Sequence, residues 1–347
     1  MSVGYTSRER VKDAVDVKDS ARANAQIDRL IKAGARAVDK LCHRVFYPEY
    51  RSRALDWPDP ESPTSWRLWL TGAGLISLES ATTGGLELDT ANVLLYPDDG
   101  PPYDRIETDR SATAGFETGN TSQRSLILTG LWGYTNDEET VGALAEDLDS
   151  TETGIDVANS ALIGVGHMLR IDTERIVVTE KTALTTGLTV ATALTAQMNN
   201  VAVALSGSSG APVAGEMIVI DGERMLVRET IGTTTYVTRA ADGTPLATHA
   251  IDATVYAYRT LTVRRGALGT TAATHLTAAA ISRWVPPDPI EALNVAETLT
   301  LISQENSGYA RVIGSGDNQR EARGAGLAQL RREVYDGYAK KARMGAV

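Results

Sequence analysis

Apolar residues recur at helical spacing near both ends of the chain and at strand spacing between those ends. From Ser20 to His43 the apolar positions follow one another at intervals of three and four residues, which places them on one face of a helix. Similar stripes begin at Asp288, a good N-cap that is followed by Pro289 in the first turn, and again at Gly326. The pattern predicts helices at the two ends of the chain, the last of them running to Ala342.

Between residues 46 and 137 the pattern changes to short apolar runs that are interrupted by prolines. Runs such as WRLWL, LISLES and RSLILTGLWGY have the length and alternation of strands. Recurrent proline forbids long helices, because proline lacks the backbone donor and clashes with the preceding turn. This part of the chain is therefore predicted to be a β segment.

The Thr-, Val- and Gly-rich middle of the chain contains a repeat. GHMLRIDTERIVVTE, residues 166–180, and GEMIVIDGERMLVRE, residues 215–229, are identical at eight of fifteen positions. The second copy continues into residues 237–255, whose counterpart does not follow the first copy but lies at residues 263–281, with nine of nineteen positions identical. The economical interpretation is nesting: an outer β module is interrupted, at a hairpin loop whose ends lie close together, by an inner β module of the same fold.

Together these patterns predict an α+β fold. Helices from both chain ends form an α-helical bundle core, and a β segment and two nested β modules are inserted between them. The predicted boundaries are 1–45 for the N-terminal helices, 46–137 for the β segment, 138–184 plus 259–285 for the outer module, 185–258 for the inner module, and 286–347 for the C-terminal helices and tail.

The composition is ordinary for a soluble protein and limits the partners that we expect. The 347 residues carry a net charge of −10 at pH 7, which disfavours general binding to nucleic acid phosphates. Cys42 is the single cysteine, so no internal disulfide is expected, as in proteins made in a reducing cytosol. The chain has no apolar run of membrane-spanning length and its first residues lack the apolar core of a signal peptide, so we expect no membrane partner.

The repeated polar residues have a catalytic and a structural interpretation. In the first, Asp172, Glu174, His167 and His275 form a catalytic or metal-binding cluster. In the second, the acids belong to turns and strand pairings, with Glu174 pairing with Arg265. We favour the second, because an active site is rarely duplicated whole, whereas turn and pairing residues recur whenever a fold recurs. The matching structural positions are Asp172, Glu174, Arg265 and His275 in the outer module and Asp221, Glu223, Arg239 and His249 in the inner module.

No other motif indicates an enzyme. Cys42 and His43 are adjacent near a helix end, which is weak evidence for a nucleophile. The chain lacks the nucleophile-elbow, P-loop, zinc-protease and dinucleotide-binding signatures, so we expect no enzymatic activity, no cofactor and no metal. Four tryptophans of the β segment could form a carbohydrate platform, but their strand-like alternation favours packing. They are Trp57, Trp66, Trp69 and Trp132.

Three stretches of the chain resemble a known family. They are YTSRERVKDAVDVKDSARANAQIDRLIKAGARAVDKLCHRVFYP, QRSLILTGLWGYT and PPDPIEALNVAETLTLI. Together they resemble the head-to-tail adaptor (connector) proteins of long-tailed phages, in the style found in phages of actinobacteria. LTVRRGALGTTAATH is similar to small β modules that occur in several phage virion proteins. The nested insert departs from the family, whose minimal members are far shorter.

The resemblance implies a structural protein of the virion, made in the host cytoplasm and located at the head–tail interface. Such proteins form a ring, usually a dodecamer, that lies beneath the portal, joins the head to the tail and continues the DNA channel. The implied partners are other copies of the chain, the portal protein and tail-side connector or terminator proteins, with transient non-specific passage of DNA. The β insert could contact the major capsid protein or neighbouring subunits.

The C-terminal segment of this family often docks into the portal. The matching segment here, residues 317–347, has a local excess of basic side chains. We expect it to contact an acidic portal surface, while an ordinary solvated helix face would carry similar charges. The candidate interface residues are Arg320, Arg323, Arg331, Arg332, Lys340, Lys341 and Arg343.

Two other functions stay open. The chain could be a tail-tip or receptor-binding protein that uses its β modules to bind a host surface glycan, or a hydrolase that uses the repeated acids. Helices at both ends with β modules between them favour the adaptor, because a receptor-binding protein more often carries its binding modules at one terminus.

Overall fold

The chain folds into two compact units. The computed structural model describes residues 3–15, 24–57, 64–70, 72, 74–112, 115–116, 119–208, 210–307, 312–313, 320–321 and 325–340. The first unit consists of Met1–Arg36, Glu138–Trp284 and Pro289–Ala328, and the second of Ala37–Asp137, Val285–Asp288 and Gln329–Val347.

The helices of the described ranges lie near the two ends of the chain, as the apolar spacing indicates. They are α1 (Arg8–Val15), α2 (Asn24–Cys42), α3 (Asp288–Asn306) and α4 (Ala325–Tyr338). The predicted start of the second helix at Ser20 lies outside the described residues, and α4 ends before the predicted Ala342. None of these helices combines the length and the apolar character needed to cross a bilayer.

The predicted α+β fold with an α-helical bundle core is wrong. The protein is mostly β, with 38% of its residues in strands and 21% in helices, and it contains a closed six-stranded β-barrel. The reason is where the apolar side chains are buried. Helices α1, α2 and α3 share one cluster of five buried residues, whereas the β parts contain clusters of fourteen, twelve and ten. Helical spacing identifies the helices correctly, but it does not measure their share of the core.

The second unit is built from two antiparallel sheets that share one apolar cluster. Its strands are β1 (Glu49–Leu55), β2 (Arg67–Trp69), β3 (Leu75–Thr83), β4 (Leu86–Leu88), β5 (Val93–Tyr96), β6 (Arg105–Thr108) and β7 (Leu126–Trp132). The strand orders are β1-β7-β3-β4 and β2-β6-β5. Leu128 of one sheet and Ile106 of the other are fully buried in the same cluster, so the two sheets bury a common core.

The first unit contains the strands of the repeat. They are β8 (Glu138–Ala143), β9 (Gly154–Asp156), β10 (Met168–Ile171), β11 (Glu174–Val190), β12 (Ala202–Ser206), β13 (Met217–Ile220), β14 (Glu223–Ile231), β15 (Thr234–Thr238), β16 (Thr254–Arg264) and β17 (Ala280–Trp284). A separate two-stranded pair is formed by β18 (Val312–Ile313) and β19 (Arg320–Glu321).

Two barrels share the long strands β11 and β16. The inner barrel closes in the order β11-β12-β15-β14-β13-β16, with β16 pairing again with β11. The outer barrel continues from β11 through β10 and β17 to β8, and from β16 to β9. An isolated bridge between Leu144 and Val157 joins the ends of β8 and β9 and completes the outer circle. Each barrel has its own buried apolar cluster.

The two barrels repeat the same local geometry. A β-bulge between Val178 and Glu180 in the outer barrel has its counterpart between Val227 and Glu229 in the inner barrel. In the inner hairpin Asp221 has φ 48° and Gly222 has φ 89°, the left-handed pair that a tight two-residue turn requires. The repeated sequence therefore corresponds to a repeated pattern of strands, bulge and turn.

One buried asparagine connects the helical segments of the first unit. The Tyr5 backbone N–H donates to Asn294 Oδ1 at 2.9 Å, and Asn294 Nδ2 donates to the Ile31 carbonyl at 3.1 Å. A Cβ at Gly34 would lie 2.7 Å from Asn294 Nδ2, so glycine allows α2 and α3 to approach closely. Asn294 of α3 is thus hydrogen-bonded both to α2 and to the segment that precedes α1.

Candidate functional site

The repeated polar residues of the outer barrel form one network around Glu174. Its two carboxylate oxygens accept hydrogen bonds from Arg265 Nε and Nη2, each at 2.8 Å. His275 Nε2 lies 3.0 Å from the same carboxylate, and His275 Nδ1 lies 2.7 Å from an oxygen of Asp172. The backbone N–H groups of Gly266 and Ala273 also donate to Glu174. The sequence-based pairing of Glu174 with Arg265 is present in the structure.

The inner barrel contains the same network at the equivalent positions. Arg239 donates to both oxygens of Glu223 at 2.7 and 2.8 Å. His249 lies between Glu223 at 2.9 Å and Asp221 at 3.0 Å. Two backbone N–H groups complete the set, from Ala240 and Ala247.

In each network the arginine also forms hydrogen bonds with the backbone of a loop. Arg265 Nη1 donates to the carbonyl oxygens of Asp149 and Glu152 at 2.7 and 3.0 Å. Arg239 Nη1 donates to the carbonyl oxygens of Thr195 and Asn200, both at 3.2 Å. The arginine therefore connects a strand end, a carboxylate and the loop that enters the barrel.

The central carboxylates are strongly acidic groups. Burial alone would raise the pKa of Glu174, but the hydrogen bonds from Arg265, the Gly266 N–H, His275 and the Ala273 N–H outweigh it and lower the pKa to about 2. The pKa of Glu223 is also lowered to about 2, because the bonds from Arg239, His249 and two backbone N–H groups outweigh the effect of burial. Both carboxylates are ionised at neutral pH.

The geometry of these networks suits structural bonding and gives no access to a substrate. The side chains of Glu174 and Glu223 have no exposed area, and their hydrogen bonds are made within the barrel. Asp172 and Asp221 are the exposed members, at 65% and 53% of the side-chain surface. Across the described residues no group of three or more His, Cys, Asp or Glu side chains is arranged to hold a metal ion.

His167 is separate from this network. Its Nδ1 accepts the Gly164 N–H at 2.9 Å. Burial, with smaller effects from the nearby charges of Arg283 and Lys181, lowers the pKa of His167 to about 3. The catalytic cluster considered for His167, Asp172, Glu174 and His275 is thus not assembled, because the neutral His167 is bonded to its own loop.

Three of the seven candidate portal residues have described side chains. Arg332 is exposed on α4 and Arg331 is half-buried. Lys340 is turned inward, because its Nζ donates to the Leu70 and Gly72 carbonyls at 3.2 and 2.9 Å. The backbone of Arg320 lies in β19. The remaining candidates, Arg323, Lys341 and Arg343, lie outside the described residues.

The structure supports neither the nucleophile nor the carbohydrate platform considered from the sequence. Burial raises the pKa of the Cys42 thiol to about 11, which suppresses the thiolate that a nucleophile needs. Trp57 and Trp132 belong to the core of the second unit, with 6% and 1% exposure. Trp69, at 45%, is exposed, and Trp66 is half-buried, so the four tryptophans do not form one platform.

Sequence reasoning missed the ion pairs that the buried arginines Arg8 and Arg259 make in the first unit. Arg8 donates to Asp28 at 2.6 and 2.9 Å and to Glu180 at 2.7 Å. Arg259 donates to both oxygens of Glu216 at 2.8 and 2.7 Å. Glu216 lies directly before β13 at the repeat position of His167, and this difference between the two copies was the available signal that the position has another environment in the inner module.

Comparisons with known proteins do not assign the chain. No family model matches it, no curated protein matches it, and no solved structure matches it.

Proposed function

We propose that the chain is a structural protein of a phage virion that forms a ring between the portal and the tail and so joins the head to the tail. The proposal rests on the sequence resemblance and on one structural observation. Asn294 of α3 forms hydrogen bonds with helix α2 and with the segment that precedes α1. The barrels, residues 138–284, are inserted between α2 and α3, as expected for an insert carried by an adaptor.

The chemistry of the conspicuous acids supports a structural role. Glu174 and Glu223 are bound by arginine, histidine and backbone N–H groups and have no exposed side-chain area. A catalytic acid would need contact with a substrate. The duplicated network holds strand ends together in both barrels, which is what a scaffold requires.

The ring is tested by negative-stain electron microscopy of the purified chain, alone and mixed with the portal protein of the same phage. The expected result is a ring with a central hole that stacks on the portal. Monomers under both conditions, or binding to a host glycan without assembly, would overturn the proposal.

Portal docking through the C-terminal segment is tested with the exposed Arg332. Arg332→Glu should weaken portal binding, because it places an acid against an acidic surface. Arg228→Glu makes the same charge change at an exposed position of the inner barrel, outside this helix, and is the matched control. Deleting residues 326–347 should abolish binding; unchanged binding of the deletion variant would contradict this interface.

A further inference from the structure

The outward face of the sheet β2-β6-β5 carries arginine and aromatic side chains in rows across the strands. Trp69, Arg105 and Tyr96 are neighbours in register. The Arg105 guanidinium lies 5.1 Å from the centre of the Trp69 ring and 4.3 Å from that of the Tyr96 ring. Ile106 points to the opposite side and is fully buried, which identifies this face as the outer one. The next row consists of Arg67, Glu107 and Leu94.

The arginines of this face have few acceptors of their own. Arg67 donates to Glu107 at 2.7 Å. Arg105 Nε lies 3.0 Å from the same oxygen of Glu107 but forms no hydrogen bond, since the direction is unsuitable. Arg110 lies over Trp66 at 5.3 Å and forms no ion pair with any described residue. We call the set Trp66, Arg67, Trp69, Leu94, Tyr96, Arg105 and Arg110 the arginine–aromatic face.

The face has a positive charge within an acidic chain. Its three arginines surround one acid, Glu107, which lies between Arg67 and Leu94 in register, so the difference is two charges. The exposed Asp98 and Asp99 of the neighbouring hairpin form no ion pair with these arginines. A guanidinium that is stacked on rings keeps a planar edge of N–H donors, which matches a carboxylate. With Trp69 and Leu94 exposed beside the arginines at 45% and 39%, the face fits an acidic polypeptide segment.

The chain itself contains such a segment in the outer barrel. We call residues 146–152 the acidic loop; it has four exposed carboxylates, none of which forms an ion pair with a described residue. They are Glu146, Asp147, Asp149 and Glu152. Burial and the negative charges of Asp156 and Glu152 raise the pKa of Glu146, in agreement with an excess of negative charge there.

The inner barrel shows that the fold does not need these acids. Its equivalent loop, residues 192–200, has no charged residue. Leu148 and Leu194 make the same bridge in the two loops, to His275 and His249. In both barrels the arginine holds the loop through backbone carbonyls and not through side chains. Asp149 accepts hydrogen bonds from the Thr151 and Glu152 N–H groups and Asp147 accepts one from the Thr277 N–H, so these two acids also stabilise the outer loop. Glu146 and Glu152 are the acids that the inner loop forms without and that the test below reverses.

We propose that the arginine–aromatic face of one copy binds the acidic loop of a second copy. This inference rests on the proposed ring and names the contact within it. Because the two surfaces differ, the contact is heterologous, the type that generates closed rings when the rotation closes. The arginines of the face attract the carboxylates of the acidic loop, and because the guanidinium groups are stacked on aromatic rings they also fix the orientation of the contact.

The test compares two charge variants and their mixture by mass photometry and negative-stain microscopy, with and without portal protein. One variant carries Arg105→Gln and Arg110→Glu, and the other carries Glu146→Arg and Glu152→Arg. Each should raise the concentration for half-assembly by roughly tenfold or more, because like charges then face each other. An equimolar mixture of the two should assemble again, since in a ring in which the two variants alternate every contact pairs opposite charges or an intact pair.

The exposed Arg228→Glu and Glu229→Arg in the inner barrel are the matched controls and should assemble as the wild-type chain does. Circular dichroism of each variant shows whether it is folded, and recovery in the mixture cannot come from misfolded chains. Rings that form normally in both charge variants overturn this contact and leave the ring standing. A wild-type chain that stays monomeric with portal protein overturns the ring and the contact together.

Discussion

Glu174 and Glu223 are each enclosed by an arginine, a histidine and two backbone N–H groups. A buried ion pair is weak evidence for stability as such, because desolvation offsets much of the attraction. Removing one partner of the pair is costly, however, because the other charge then stays buried without compensation. The repeated sequence was enough to predict which residues recur. It could not predict the pairing of Glu216 with Arg259, because the outer module has His167 at the repeat position of Glu216 and the two partners are 43 positions apart.

Glu223→Gln should destabilise the protein by roughly 3 kcal/mol, because the fully buried Arg239 loses its charged partner. Equilibrium unfolding in urea measures this change. Asp221→Asn is the control, since the side chain of Asp221 is 53% exposed and stays partly solvated; we expect a loss of about 1 kcal/mol or less. Equal losses in the two variants would contradict a central role for Glu223.

The same carboxylates should make the protein sensitive to acid. The pKa of Glu174 and of Glu223 is about 2 in the folded chain, whereas an unperturbed glutamate has a pKa of about 4.3. A folded pKa below the unfolded value gives stability that is present above about pH 4.3 and is lost as the pH falls toward about 2. As the pH is lowered through this window, the unfolding free energy of the Glu174→Gln, Glu223→Gln double variant should fall less steeply than that of the wild-type chain. Parallel curves for the variant and wild type would refute this.

At the scale of elements, the two barrels are joined by strands that belong to both. The module boundaries placed from sequence at 184/185 and 258/259 lie inside the continuous strands β11 and β16. The boundaries were placed where the similarity between the two copies ends. The backbone pairing of β11 with β16 continues across both boundaries, as Leu184 pairs with Ala257. Strand continuity depends on contacts across about 70 residues, which local patterns do not contain.

The hairpin between β13 and β14 depends on a glycine that local patterns do identify. Gly222 has φ 89° and open space around its Cβ position. Gly222→Ala should therefore cost about 1 kcal/mol through backbone strain alone. Gly154→Ala is the matched control, because Gly154 also faces open space but has no left-handed φ. Thermal unfolding of both variants measures the difference; a larger loss at Gly154 would show that the turn is not the determinant.

At the scale of the whole molecule, the sequence-based weighting of helix and strand was wrong for a physical reason. An amphipathic helix gives a strong periodic signal, as over α2, whereas each short strand gives a weak one. The core follows buried area and not signal strength, so the clusters of the barrels and of the paired sheets exceed that of the helices. The relation of the two barrels to each other was available from sequence because the repeat itself is interrupted.

That relation leads to a prediction about independent folding of the outer barrel. Residues 185–256 can be deleted and Leu184 joined to Ala257 through an Asn-Gly turn, because these two residues are paired neighbours on β11 and β16. The outer barrel keeps its cluster of fourteen buried residues, although Arg259 loses Glu216 and Lys12 loses Asp242. We expect a β-rich circular dichroism spectrum and cooperative unfolding of the outer barrel, at a lower temperature than in the intact chain. A chain that aggregates, or that unfolds without cooperativity, would show that the outer barrel requires the inner one to close.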